Sequence, residues 1–299
     1  MSRDVNQTMS RDVNQAMSRD VNQTMSQAMN RATSHEATQR LLKKKLFLLD
    51  MDGTIYLGNR LFDFSLDFFR CVKEKNARYM FLTNNSSKSA ELYLQKLAGM
   101  KIPAGQDDLI TSTHATARYL KNKYDNKPVY VSGTVAFAKE LASLGVNVVD
   151  DLDTPEILVM GFDTELTFQK LENMCILLGK NVEYVGSNPD WTCPTEYGYV
   201  PDCGSVATML KNATGRLPVF IGKPMPDMVE MALERTGVSK DEAIIIGDRL
   251  YTDVACGINA GIDAALVLSG ESTEEDLKVS EFKPDYVFRD LGELLDILM

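Results

Sequence analysis

A doubly wound, Rossmann-like parallel α/β sheet interrupted by an inserted second α/β unit is the fold this sequence predicts, and three observations predict it. Short apolar runs recur between helical patterns, as buried parallel strands do. Four of those runs end in polar residues of one chemical kind: 46–49 before Asp50-Met51-Asp52-Gly53-Thr54, 79–82 before Thr83-Asn84-Asn85, 218–222 before Lys223, and 243–247 before Asp248. A separate strand and helix alternation stands between the second and third of these clusters, opening after Asn126-Lys127-Pro128 and closing near Thr214-Gly215. Open α/β sheets bind ligands outside the carboxyl ends of their strands, so the four clusters are expected to meet at one edge.

Residues 46–49 (LFLL) begin the core as its first strand, closed by the Asp50 loop. Ile55-Tyr56-Leu57 and Arg60-Leu61-Phe62 flank Gly58-Asn59, a turn pair suited to a small hairpin. A helical pattern covers 64–75, the strand YMFL follows, and further helical stretches cover 89–98 and 111–123. Beyond Pro128, VYVSG, EILVMGF and VEYVGS alternate with helical stretches at 135–144 and 167–178, which gives this segment its own α/β pattern. The strands LPVFIG, AIIIG, AALVL and YVF, with helices at 226–235, 252–259 and 291–298, are expected to return to the first sheet. The resulting organisation is a core of residues 43–125 and 217–299, an inserted unit at 126–216 and a leader at 1–42. That leader opens with MSRDVNQT, MSRDVNQA and MSRDVNQT in tandem. A period of eight suits neither heptad nor 11-residue supercoils, and one Val and one Met per copy bury too little surface, so the leader is expected to be disordered and without a role of its own.

Composition narrows the partners. At 299 residues and 44% hydrophobic, the chain can bury one large core or two smaller ones. A net charge of −10 and the lack of a basic stripe exclude nucleic acid as an expected partner. No apolar run reaches the roughly 18 residues of a membrane span and the N-terminus lacks a hydrophobic signal region, so no membrane partner is expected. Five scattered cysteines without a C-x-x-C pair, and only two histidines, argue against zinc and for a reducing cytoplasm.

The chemistry lies in the four clusters. An EF-hand starting at Asp50 would need glycine and glutamate where Ile55 and Leu61 stand, so a calcium loop is excluded. An Asp-Gly pair is also an ordinary solvated corner. Two carboxylates two residues apart after a strand, however, point the same way, so one can attack phosphorus while the other acts as general acid and base. Thr83-Asn84-Asn85-Ser86 taken alone reads equally as turn and helix-cap residues. Gly222-Lys223-Pro224 is no P-loop, since proline follows the lysine. A lysine at a strand end is usually solvated; facing these carboxylates and a phosphate, it would offset repulsion between an anionic nucleophile and an anionic substrate. Asp253 alone reads as a charge favoured by a helix N-terminus. Asp248 and Asp50 offer the one or two carboxylates that Mg²⁺ takes beside phosphate and water.

In order and spacing these clusters resemble the four signatures of haloacid dehalogenase-like (HAD) phosphatases, and the insertion between the second and third resembles the C2-capped, NagD-like branch that includes p-nitrophenyl phosphatases. The resemblance covers about residues 45–299. It implies a Mg²⁺-dependent hydrolysis of a small phosphorylated metabolite, such as a sugar phosphate, a nucleotide or a p-nitrophenyl phosphate-like ester. Asp50 would form an aspartyl-phosphate, and Asp52 would protonate the leaving alkoxide and then activate water. Asp50, the Asp52 carbonyl and Asp248 would hold the metal, with Asp253 behind them. Thr83, Asn84 and Asn85 would bind the phosphoryl oxygens and Lys223 would neutralise them. Within the cap, Ser187 to Cys193 resembles the specificity-loop region, which makes Asn188 and Asp190 candidates for reading the leaving group. The cap is also the surface through which a homo-oligomer is expected. A phosphotransferase using the same intermediate and a non-catalytic phosphometabolite-binding protein are the alternatives. A dinucleotide binder is disfavoured because no G-x-G-x-x-G follows the first strand.

Overall fold

The computed structural model describes residues 35–195 and 197–299. The disorder expected of the octapeptide copies falls on residues 1–34, outside the described residues. The first described element is helix α1 (His35–Leu42), followed by β1 (Leu46–Leu49), the hairpin β2 (Tyr56–Leu57) and β3 (Arg60–Leu61), α2 (Ser65–Glu74), β4 (Arg78–Thr83), α3 (Ala90–Gly99), β5 (Leu109–Thr111) and α4 (Ser112–Tyr124). There follow β6 (Val129–Ser132), α5 (Val135–Ser143), β7 (Val148–Val149), β8 (Ile157–Met160), α6 (Phe168–Gly179), β9 (Glu183–Gly186), the pair β10 (Thr192–Thr195) and β11 (Gly198–Pro201), and α7 (Cys203–Thr214). The last stretch carries β12 (Val219–Phe220), α8 (Asp227–Thr236), β13 (Ala243–Gly247), α9 (Ala255–Ala260), β14 (Asp263–Val267), α10 (Glu274–Val279), β15 (Tyr286–Phe288) and α11 (Leu291–Leu298).

The first sheet is six-stranded, in the order β15-β14-β13-β1-β4-β5, and every pairing in it is parallel. Burial on both faces explains its unbroken apolar strands. Side chains alternate between the faces: Leu46 and Leu48 pack with Leu120, Met228 and Val254, whereas Phe47 and Leu49 pack with Phe68, Phe69 and Leu294. The second sheet is also parallel, in the order β12-β9-β8-β6-β7. Helices α6 and α7 cover one of its faces, with Met174, Leu177, Ala207 and Leu210 buried there.

Two expectations need correction. Residues 35–42 were assigned to a disordered leader, yet they form α1, which buries Ala37 and Leu41 among the residues packed with α11. Arg40 pairs with Asp263, and the same carboxylate takes Lys44 Nζ at 2.9 Å. Strand β12 was expected in the first sheet; instead Val219 and Phe220 pair with Val185 and Gly186 of β9. The chain therefore returns to the core only after β12, because a two-residue strand joins whichever edge offers matching carbonyls and N–H groups.

Candidate active site

The carboxyl ends of β1, β4 and β13 deliver Asp50, Thr83 and Asp248 to one edge of the first sheet. Asp50 N still donates to Ile246 O at 2.9 Å, so the strand ladder fixes the backbone up to the carboxylate. The chain then turns away. Gly53 adopts φ 85°, a conformation that favours glycine, and donates its N–H to Tyr56 O at 2.7 Å. A Cβ on Gly53 would collide with the Asp248 carboxylate, so this turn needs glycine for space as well as for torsion. Two residues after Asp50, Asp52 accepts a hydrogen bond from Gly58 N at 3.3 Å, in the turn of the small hairpin.

Lys223 reaches this edge from the second sheet, just beyond β12. Its Nζ donates to Asp50 Oδ1 at 2.6 Å, to Asp253 Oδ1 at 2.6 Å and to Leu82 O at 3.1 Å. All three ammonium protons are thus engaged, and toward a phosphate Lys223 acts as a buried point charge. Burial acts to lower its pKa, but Asp253 and Asp50 outweigh it and the net shift is upward. Asp253 sits at the π-helical turn Leu250–Val254, which places it against Gly247, where a Cβ would collide with its carboxylate.

Asp50, Asp248 and Asp253 bring carboxylate oxygens within 4.8 Å of one another. Burial pushes Asp50 up to about 7, with Lys223 pulling down and Asp253 pushing further up. Asp248 is raised well above its usual range by burial and by Asp50 and Asp253. Its Oδ2 accepts Glu271 N at 2.7 Å, while Oδ1 is buried without a hydrogen-bond partner. One ammonium does not compensate three clustered carboxylates. An orphaned carboxylate oxygen among oxygen donors fits a hard divalent cation, which would hold all three in the charged form. Asp52 is raised by burial, offset by the Gly58 hydrogen bond and by Lys96, Arg249 and Lys88, a setting suited to a general acid.

Asn84 and Asn85 both line the cavity, with their side chains engaged by protein partners. Asn84 Oδ1 accepts Lys223 N at 2.8 Å, and Nδ2 donates to Lys223 O at 2.8 Å and to Asp190 Oδ1 at 3.1 Å. Its side chain is a strut that holds the Lys223 backbone from both sides at the wall of the cavity. Asn85 Oδ1 accepts from Ser87 N and Oγ at 2.9 and 2.7 Å, and Nδ2 points to Cys193 Sγ at 3.8 Å. Thr83 Oγ1 accepts Asn85 N at 3.2 Å and lines the cavity.

Asn188 is fully buried; it donates to Asn84 O at 2.8 Å and accepts Asp190 N at 3.1 Å, so it braces the loop and does not line the cavity. Asp190 does line it, held by Asn84 and by Arg249 Nη1 at 3.5 Å. The cavity measures about 230 Å³ and also meets Tyr56, Lys88, Lys96, Cys193 and Arg249. Cys193 ends the cap loop singled out from the sequence; sequence reasoning gave the other four no role in the site. Arg249, directly after Asp248, was the most accessible; its Nε pairs with Glu271 Oε2 at 2.8 Å.

Comparison with known proteins supplies the family. The profile of haloacid dehalogenase-like hydrolases matches residues 47–147, and a HAD-hydrolase-like profile matches 220–294. An acid sugar phosphatase of Staphylococcus haemolyticus is 34% identical over 248 residues, covering 83% of this chain and 94% of that protein. The structure of a 4-nitrophenylphosphatase from Thermotoga maritima superposes with a TM-score of 0.82 at 43% identity, covering 87% of this chain and 99% of that one. A glycerol phosphate phosphatase from Mycobacterium tuberculosis, solved in complex with calcium, gives a TM-score of 0.79 at 29% identity over 85% of this chain and 76% of that one.

Proposed function

The chain belongs to the haloacid dehalogenase-like hydrolases and is a phosphatase of their NagD-like branch, and from that premise we propose that it is a Mg²⁺-dependent phosphomonoesterase working through an aspartyl-phosphate on Asp50. The observation that carries this reading is the Asp50 carboxylate, held at the cavity by Lys223 Nζ at 2.6 Å and standing two residues before a second carboxyl that lines the same cavity, Asp52.

One Asp50 oxygen attacks phosphorus and the ester oxygen leaves with the proton of Asp52; Asp52 then takes a proton from the water that cleaves the acyl phosphate. Lys223 keeps Asp50 anionic beside an anionic ester. Asp253 holds Lys223 in place, and Asn84 fixes the Lys223 backbone. The residues suited to Mg²⁺ are Asp50, Asp248 and the Asp52 carbonyl. When bound, the ion supplies positive charge that offsets the phosphoryl oxygens and the carboxylate cluster. Residues from about 129 to 220, the second sheet and its helices, form the cap over this edge in the proposed reading, with Asp190 its inward carboxylate.

A small sugar phosphate or an aryl phosphate is the substrate class proposed, supported by the names of the relatives and by a cavity below the about 300–1,000 Å³ common for drug-sized ligands. A cytoplasmic setting is supported by five unpaired cysteines, and no helix among the described residues is long and apolar enough to cross a membrane. The test is Asp50→Asn, which keeps the shape and removes the nucleophile. Hydrolysis of p-nitrophenyl phosphate with Mg²⁺ should fall at least about 10³-fold, roughly 4 kcal/mol of barrier. Activity within tenfold of wild type would sink the covalent mechanism.

A further inference from the structure

Among the basic groups that line the cavity, two are matched by carboxylates and two are not. Lys223 is held by Asp50 and Asp253, and Arg249 by Asp190 and Glu271. On the acidic side, Asp190 also takes Asn84, and Asp202 accepts Cys203 N at 2.5 Å. Lys88 and Lys96 are the exception. Both line the cavity, and neither side-chain ammonium forms an ion pair or hydrogen bond with another described residue. Lys96 projects from α3 with its Nζ 3.7 Å from the centroid of the buried Tyr56 ring, so it is positioned and partly desolvated without a carboxylate partner. Burial lowers its pKa, Asp52 opposes that, and Lys88 adds to it. Two like charges converge on the reaction cavity in a chain whose net charge is −10, where carboxylates to neutralise them are abundant. An anionic ligand would relieve both the mutual repulsion and the lost hydration.

We propose that Lys88 and Lys96 form an anion-binding subsite for the leaving group, so that the preferred ester carries a second anionic group, a carboxylate or a second phosphate, beside the phosphoryl that is transferred. This deepens the phosphomonoesterase reading and rests on it. The Tyr56 face holds the Lys96 ammonium in place, and Lys88, exposed just before the Ser89 N-cap of α3, supplies the second ammonium. Lys223 is occupied by Asp50 and Asp253, so the lysine pair is the cationic group left to read the rest of the substrate.

A matched series tests the subsite: 2-hydroxyethyl phosphate, 2-phosphoglycolate and ethane-1,2-diol bisphosphate, the last corrected for its two equivalent phosphates. At least one anionic ester should exceed the neutral one in kcat/KM by about tenfold or more, through KM, as charge-assisted hydrogen bonds of about 1.5–3 kcal/mol give. The carboxylate and bisphosphate arms tell which anion the pair takes. Lys96→Met and Lys88→Met should each collapse that ratio several-fold, and Lys96→Arg should restore most of it. A wild-type enzyme that treats all three esters alike overturns the proposal. So does a Lys96→Met variant that scales all three by one factor and shifts the pH profile, because Lys96 would then be tuning Asp52 only. Turnover of p-nitrophenyl phosphate reports the phosphatase reading separately, so the two failures are distinguishable.

Discussion

Replacing Lys223 by Met removes the one ammonium that touches both Asp50 and Asp253, each at 2.6 Å, and keeps most of the side-chain volume. Asp253 is almost completely buried and Asp50 largely so, which leaves two carboxylates without their cation in a place where water cannot replace it. Breaking a buried pair in this way costs about 3–5 kcal/mol. At about 2–4 °C per kcal/mol for a chain of this size, Tm should fall by about 6–20 °C at neutral pH. The loss should shrink on acidification. Asp50 already stands at about 7 in the folded protein, against an ordinary 3.8, and loss of Lys223 raises it further. A folded-state pKa above the unfolded value means that the folded protein binds more protons, so stability contributed by this group is present at low pH and declines as pH rises through the raised value. Catalysis should move the same way, with the acidic limb of kcat/KM for p-nitrophenyl phosphate displaced upward because the nucleophile ionises later. Melting curves and rate profiles from pH 5 to 9 measure both. A Lys223→Met protein with wild-type Tm at pH 8 and an unmoved acidic limb would refute the claim that this lysine holds the nucleophile charged.

Asp52→Ala should lower kcat by about 10²–10⁴-fold for an alkyl phosphate and by less for p-nitrophenyl phosphate, whose leaving group needs no proton; equal losses in the two assays would remove Asp52 from the acid role. EDTA should abolish turnover and Mg²⁺ restore it, with apparent Mg²⁺ affinity weakening as pH falls below about 7, where Asp50 takes up a proton; full activity after exhaustive chelation, followed by metal analysis, would exclude the cation. Leu41→Ala, in a helix first expected to be disordered, should cost about 2–5 kcal/mol in urea unfolding because the side chain is fully buried; a change below about 0.5 kcal/mol would show that α1 does not pack in solution.

Legibility followed the length of each apolar run. LFLL, RYMFLT and AIIIG are long enough to declare buried parallel strands, and the polar residue at the end of each, Asp50, Thr83 and Asp248, stands at the shared edge of the sheet. Strand β5, three residues with Asp107 and Asp108 before it, gives no comparable signal. Helix α1 has only Ala37 and Leu41 on its packed face, so its composition resembles the polar leader until α11 is known to lie beside it. Lys88 and Lys96 are invisible for another reason: a lysine on a helix or loop is solvated in nearly every sequence context, and only the Tyr56 face and the shared cavity distinguish these two.

The assignment of β12 to the wrong sheet bears most on the site, because Lys223 hangs from the end of that strand. Sequence order alone places LPVFIG and Lys223 beside the other phosphate-handling strand ends, which is correct for the lysine and wrong for the strand. The pairing of Val219 and Phe220 with Val185 and Gly186 means that Lys223 enters from the second sheet and crosses to Asp50 within a residue or two. Such a crossing needs something to hold its backbone, and Asn84 does so from β4 with one bond to the Lys223 N–H and one from its amide to the carbonyl. The same amide reaches Asp190, and Asn188 reaches back to the Asn84 carbonyl. Asn84 is thus a point where both sheets are tied to Lys223. The Asn84 amide accepts once and donates twice here, a combination that neither an ionised Asp, which only accepts, nor a Ser, with a single donor, supplies.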